Sequence, residues 1–204
     1  MNLPNKLTLG RIIVIPFFVF FLTYNLFEDP NISRIISAAL FIAASVTDFL
    51  DGHIARSRNL ITDFGKFMDP LADKFLILGA MFAICFSGYI FDYADGFITI
   101  IPASVLKHLF FWTAIVVVFR ELAVTSMRLV VVKSSGAVIA ASMLGKIKTV
   151  TQIVATSLVM LEPVILPFCH GVLTLISTAA MLFFTVLSGV NYIKSYWKFI
   201  DTNK

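Results

Sequence analysis

A chain of 204 residues has the length of one domain, but 59% hydrophobic residues against 14% charged, with a mean hydropathy of +0.93, exclude an ordinary water-soluble one, which carries about 25% charged residues. The formal net charge of +4 suits an anionic lipid surface. Cys85 and Cys169 stand alone in apolar surroundings, which argues against a disulfide framework or a thiol-ligated metal and for two unpaired core thiols.

Six apolar stretches follow one another at about the length of chain that crosses a bilayer as a helix, roughly 20 residues. They are Leu7–Leu26, Ile35–Ile54, Leu71–Phe91, Ile101–Val132, Ser142–Leu161 and Phe168–Ile193. The first lacks the small-residue cleavage site of a secretory leader and is expected to stay as a span. The fourth exceeds one crossing, so its cytoplasmic end is expected to project beyond the hydrocarbon. Short polar connections are read at Glu28–Asn31, Asp92–Gly96, Ser134–Ser135 and Glu162–Pro163. No repeat, low-complexity tract or separate soluble segment interrupts the pattern. Residues 1–204 therefore read as one all-α integral membrane domain, a bundle of six transmembrane helices.

Charge placement orients the bundle. With the N-terminus inside, fourteen of the sixteen Lys and Arg residues fall on the cytoplasmic side and only Arg34 and Lys107 outside. The positive-inside rule then places both termini in the cytoplasm. The 21 Phe residues read as lipid-facing and interhelical packing.

The segment from Asp48 to Asp73, joining the second and third spans, is far more charged than the chain around it. Asp48 and Asp51 are three residues apart, Asp69 and Asp73 four, and both spacings put side chains on one face of a helix. Two antiparallel helices with a short connection would bring all four carboxylates together at the membrane edge. Pro70 suits the first turn of the third helix. Four anions in a medium of reduced dielectric repel one another, and ionisable groups at membrane depth mark function. Hard divalent cations, Mg²⁺ or Mn²⁺, answer both points, because oxygen-only donors select them. Two such ions can clamp a pyrophosphate. Gly52, Ala55 and Gly65 permit close approach to the backbone, and Arg56 offers a planar fork of donors for phosphate. Together they point to a diphosphate-containing substrate.

Asp48-x-x-Asp51-Gly52-x-x-Ala55-Arg56, eight further residues, then Gly65-x-x-x-Asp69-x-x-x-Asp73 resembles the signature of the CDP-alcohol phosphotransferase family at all eight defined positions. The outer motifs are similar to those of its phosphatidylglycerophosphate-forming branch: Asn2–Arg11, Arg120-Glu121 with Thr125 and Arg128, and Gly145–Gln152. The resemblance implies six transmembrane helices, a homodimer, and attack of an alcohol on the β-phosphate of a CDP-linked donor with release of CMP. It implies Asp48, Asp51, Asp69 and Asp73 as ligands of two Mg²⁺ or Mn²⁺ ions, with Asp73 also the general base. Asn5, Thr8, Asp48, Gly52, Ala55, Arg56 and Gly65 would hold the cytidine diphosphate. The implied donor is CDP-diacylglycerol and the acceptor sn-glycerol 3-phosphate. Arg120, Lys146, Lys148 and Arg128 are the candidates for the acceptor's phosphate. Membrane lipids are expected partners, nucleic acid is not, and a bacterial inner membrane with the site on its cytoplasmic side is the expected location. His53, His108 and His170 are given no part in the chemistry, and Glu121 is expected to pair with Arg120 or Arg128. Serine, inositol phosphate or phosphatidylglycerol as acceptor is the rival within the family. A divalent-cation transporter is the rival outside it, although an Arg beside the metals suits phosphate better than cation passage.

Overall fold

The computed structural model describes residues 2–57, 62–92, 101–135 and 142–197, without the side chains of Leu3, His53, Ala55, Arg56, Lys66 and residues 132–135. The described residues form six long helices: α1 (Leu3–Thr23), α2 (Pro30–Ser57), α3 (Asp63–Phe86), α4 (Ala103–Ser135), α5 (Met143–Ile165) and α6 (Val172–Trp197). Among the described residues there is no strand. α1, α3 and α5 each start on a side-chain cap. Asn2 accepts from the Asn5 N–H, Thr62 from Gly65 and Ser142 from Gly145, each satisfying a backbone donor that the first turn leaves without a partner.

α1 packs on both α2 and α3, α6 packs on both α4 and α5, and α2 meets α5 to join the two groups. The core is apolar, with Phe18 edge-on to Phe41 at 6.0 Å and Leu76, Met81, Ile84, Phe110, Val159 and Met181 filling the space between helices. The usual outside is inverted. Phe17, Phe49, Phe67, Phe86, Phe119 and Trp197 are exposed, while α6 turns a stripe of Thr174, Thr178, Thr185 and Ser188 inward. Small and hydroxyl-bearing residues at helix contacts, with large apolar ones outside, are the pattern of helices packed in lipid.

Among the described residues, four helices are long and apolar enough to cross a membrane: Pro4–Thr23, Pro30–Gly52, Met143–Ile165 and Val172–Trp197. α3 is a continuous helix whose first half carries Asp69, Asp73 and Lys74, which shortens its apolar run. α4 has 33 residues, about 50 Å of helix, more than the hydrocarbon layer of about 30 Å.

Three local expectations are corrected. Pro70 lies inside α3, not in its first turn, because Thr62 caps the helix eight residues earlier. Ser134–Ser135 closes α4 rather than connecting it onward. Glu162–Pro163 lies inside α5, and the turn to α6 comes at Leu166–Gly171, through a 3₁₀ turn at Pro167–Cys169 and a left-handed His170. Glu162 is 1% exposed, and its carboxylate accepts from the N–H groups of Gly171, Leu173 and Thr174. It is thus the cap of α6, supplied from α5. Removing it leaves buried donors unmet, so Glu162→Ala is expected to cost about 3 kcal/mol, read as a lower midpoint of thermal unfolding in detergent. An unchanged midpoint would show that the cap is dispensable. Both cysteines are free thiols, as expected.

Candidate active site

The chemistry-bearing side chains gather at the end of the bundle where α1, α3 and α5 begin and α2, α4 and α6 finish. Asn5, Thr8 and Arg11 lie three residues apart along α1, on the face that meets α2 and α3. The Arg11 guanidinium binds the carboxylates of both Asp48 and Asp51, and its side chain is wholly buried. The Thr8 hydroxyl lies 2.8 Å from Asp69 Oδ1 and 3.4 Å from Asp51 Oδ2. Three carboxylates from two helices are thereby tied to one face of α1. Asp73, one turn further along α3, has Asp48, Lys148, Glu121 and Arg11 as its charged neighbours.

Gly65 shows why the signature needs glycine there. A Cβ at that position would lie 3.2 Å from Asn5 Oδ1 and 3.3 Å from Thr62 Oγ1, tighter than an ordinary contact. Asn5 is itself buried and accepts from the Thr62 hydroxyl at 3.0 Å. Gly52 is half-buried near the end of α2. Ala55 and Arg56 belong to the last turns of α2, and their side chains lie outside the described residues.

A second cluster adjoins the first. Glu121 binds Arg120 at 2.9 Å and also Lys148, joining α4 to α5. The Arg120 guanidinium stands 5.2 Å from the centre of the Tyr192 ring on α6, within range of a cation–π attraction. Lys74, next to Asp73, donates to the Thr125 hydroxyl at 2.6 Å. Of the four candidates for the acceptor phosphate, the fold brings Arg120 and Lys148 together on Glu121. Lys146 and Arg128 are exposed. Lys146 lies two residues from Lys148 and so points to a different side of α5.

Carboxylate oxygens are hard donors, and this set suits a hard divalent cation. No group of three acidic, His or Cys side chains among the described residues already stands as an ion cage. Arg11 lies between Asp48 and Asp51 and balances their charge. The donors fit a divalent ion on condition that Arg11 yields its hold on one or both. In the sequence Arg11 counts only as a topology charge and as part of the outer motif. Its signal is the polar stripe Asn5–Thr8–Arg11 on an otherwise apolar helix. Tyr192 and the second partner of Glu121, Lys148, are likewise visible only in the fold.

The sequence model of the CDP-alcohol phosphatidyltransferase family matches residues 1–190. The chain is 40% identical to the CDP-diacylglycerol–glycerol-3-phosphate 3-phosphatidyltransferase of Bacillus subtilis over 99% of its own length and 98% of that protein's. It is 36% identical to a probable phosphatidylglycerophosphate synthase of Mycobacterium tuberculosis, covering 94% of this chain and 80% of the relative. It is 35% identical to the Rickettsia felis protein that bears the same name as the Bacillus one, over 97% of each. This chain belongs to the CDP-alcohol phosphatidyltransferase family. The family is generally dependent on divalent metal. Several apolar helices in a family of phospholipid synthesis make the chain a multi-pass membrane protein.

Proposed function

We infer that the chain transfers the phosphatidyl group of CDP-diacylglycerol to sn-glycerol 3-phosphate, giving phosphatidylglycerophosphate and CMP. The observation that carries this reading is the juxtaposition at one end of an apolar bundle. The aspartate cluster of α2 and α3 lies directly beside the cationic pair Arg120 and Lys148. An aspartate cluster suits an activated diphosphate, and a cationic pair suits an acceptor that is itself a phosphate. The relatives are named for this reaction, and none of those cited is named as a transporter.

In this reading Asp48, Asp51, Asp69 and Asp73 would hold two divalent ions, Mg²⁺ or Mn²⁺. When bound, these would offset charge on the diphosphate as its bridging bond breaks. Asn5, Thr8, Asp48, Gly52, Ala55, Arg56 and Gly65 hold the cytidine diphosphate end. Asp73 accepts the proton of the acceptor's primary hydroxyl. The hydroxyl oxygen bonds to the β-phosphorus, the bond from that phosphorus to the bridging oxygen breaks, and CMP departs with the oxygen. Arg120 and Lys148 receive the acceptor's phosphate, with Lys146 and Arg128 at the rim. The diacylglycerol tails stay among the exposed apolar side chains.

The protein acts as a single domain, 1–204, with six spans and both termini cytoplasmic. The fourteen-to-two distribution of Lys and Arg supports this topology. In this reading it works as a homodimer in a bacterial inner membrane with the site on the cytoplasmic side; membership of the family supports the reading. A panel of radiolabelled acceptors offered with CDP-diacylglycerol tests the reaction. Label should enter lipid from glycerol 3-phosphate, and preferential incorporation of serine, inositol phosphate or phosphatidylglycerol would overturn the acceptor. Arg120→Met is expected to raise KM for glycerol 3-phosphate about 10- to 100-fold, the loss of a charge-assisted contact worth 1.5–3 kcal/mol, while KM for CDP-diacylglycerol changes little. Equal effects on both would remove Arg120 from the acceptor's pocket.

A further inference from the structure

Between α3, α4 and α5 lies a small cavity of about 10 Å³, lined by Asp73, Ile77, Leu78, Glu121, Lys148 and Gln152 among others. That is about the room one water molecule or one hydroxyl group requires. Several of the polar groups on its wall have partners within the chain. Lys148 binds Glu121, Lys74 donates to Thr125, and the Thr149 hydroxyl donates to the Gly145 carbonyl at 3.1 Å. Gln152 is 1% exposed, and its Nε2 has no hydrogen-bond partner among the described residues. A buried amide donor left over beside a hydroxyl-sized cavity marks a place for an external oxygen.

We propose that this cavity is the subsite for the middle, non-reacting hydroxyl of the acceptor, and that Gln152 is the residue that recognises it. The inference rests on the reading of the acceptor as glycerol 3-phosphate, and it adds the feature that separates this molecule from other small alkyl phosphates. In that acceptor the reacting hydroxyl, the middle hydroxyl and the phosphate occupy three successive carbons. With the first at Asp73 and the last at Lys148, the second falls between them, where the cavity is. Gln152 follows Lys148 by one turn on the same face of α5, so its amide reaches the cavity from the membrane side. Ile77 and Leu78 close the remaining wall with apolar surface. A site built to hydrogen-bond a hydroxyl rejects the analogue that lacks it, because its own polar group is then stranded.

The experiment compares sn-glycerol 3-phosphate with 3-hydroxypropyl phosphate, which lacks only the middle hydroxyl, in CMP release from CDP-diacylglycerol by the full-length protein in detergent. The unchanged protein is expected to favour glycerol 3-phosphate by about 100-fold in kcat/KM, the upper end for stranding one buried donor. Gln152→Met is expected to lose about that factor with glycerol 3-phosphate and to leave the analogue's value unchanged. Its thermal midpoint should stay or rise, since a buried donor without a partner has been removed. Gln152→Asn, which keeps the amide but withdraws it by one carbon, should show the same selective loss and covers failure of the Met variant to fold. Equal loss with both phosphates, or no loss with either, would overturn the subsite, as would a wild-type protein indifferent to the middle hydroxyl. A wild-type protein that releases CMP only with a different acceptor would overturn the acceptor reading itself, and the subsite with it.

Discussion

Asp73→Asn is expected to lower kcat by about 10²- to 10⁴-fold, the range for loss of a positioned proton acceptor. The asparagine amide has the same shape and a similar reach, so it keeps the packing of α3 while being unable to take the hydroxyl's proton. The surroundings of Asp73 favour this role over a structural one. It stands one turn beyond Asp69, faces both the aspartate cluster and the Lys148–Glu121 pair, and lines the cavity that Gln152 also lines. Initial rates of CMP release measure the effect. Mn²⁺ binding followed by electron paramagnetic resonance separates a lost base from a lost ligand. A variant that binds Mn²⁺ normally and still turns over at a near-native rate would remove Asp73 from proton transfer.

Arg11→Ala should have the second largest effect, on stability. The guanidinium is wholly buried and binds both Asp48 and Asp51. Removing one partner of a buried ion pair costs about 3–5 kcal/mol, because the remaining charge is stranded. Here two carboxylates would be left facing each other. Thermal unfolding in detergent with excess chelator should show a large loss for Arg11→Ala. Added Mg²⁺ or Mn²⁺ should recover part of it, since a cation bound by the same carboxylates stabilises only the folded chain. Arg11→Lys should fall between, as an ammonium cannot span two carboxylates in the way a planar fork does. No recovery by divalent ions, alongside a large loss in chelator, would show that Arg11 does not share its carboxylates with a metal.

Both predictions concern residues that the sequence presents very differently. Asp73 is the last position of a motif with fixed spacing, and the spacing itself states the geometry: one turn from Asp69, on the same face of one helix. Arg11 is 37 residues from Asp48 and 40 from Asp51, and no local rule links them. The same division runs through the second cluster. Glu121 pairs with its neighbour Arg120 as the sequence suggests, while its bond to Lys148 and the position of Arg120 against Tyr192 depend on α4, α5 and α6 meeting at one end. Helix ends were the least legible feature. Glu162-Pro163 has the composition of a turn, but the carboxylate is needed one helix away as a cap, so α5 continues through it.

The sequence alone determined the medium, the helical class and the family. Each of these follows from composition or from residues close together along the chain: the scarcity of charge, apolar runs of bilayer length, and eight motif positions within 26 residues. Tertiary structure decided which charges neutralise which, where the buried cations stand, and which polar group is left without a partner. The physical reason is one of range. Helical periodicity orders residues three or four apart, whereas a hydrogen bond or ion pair in a low-dielectric interior is set by the contact of whole helices, which brings distant residues within about 3 Å of each other.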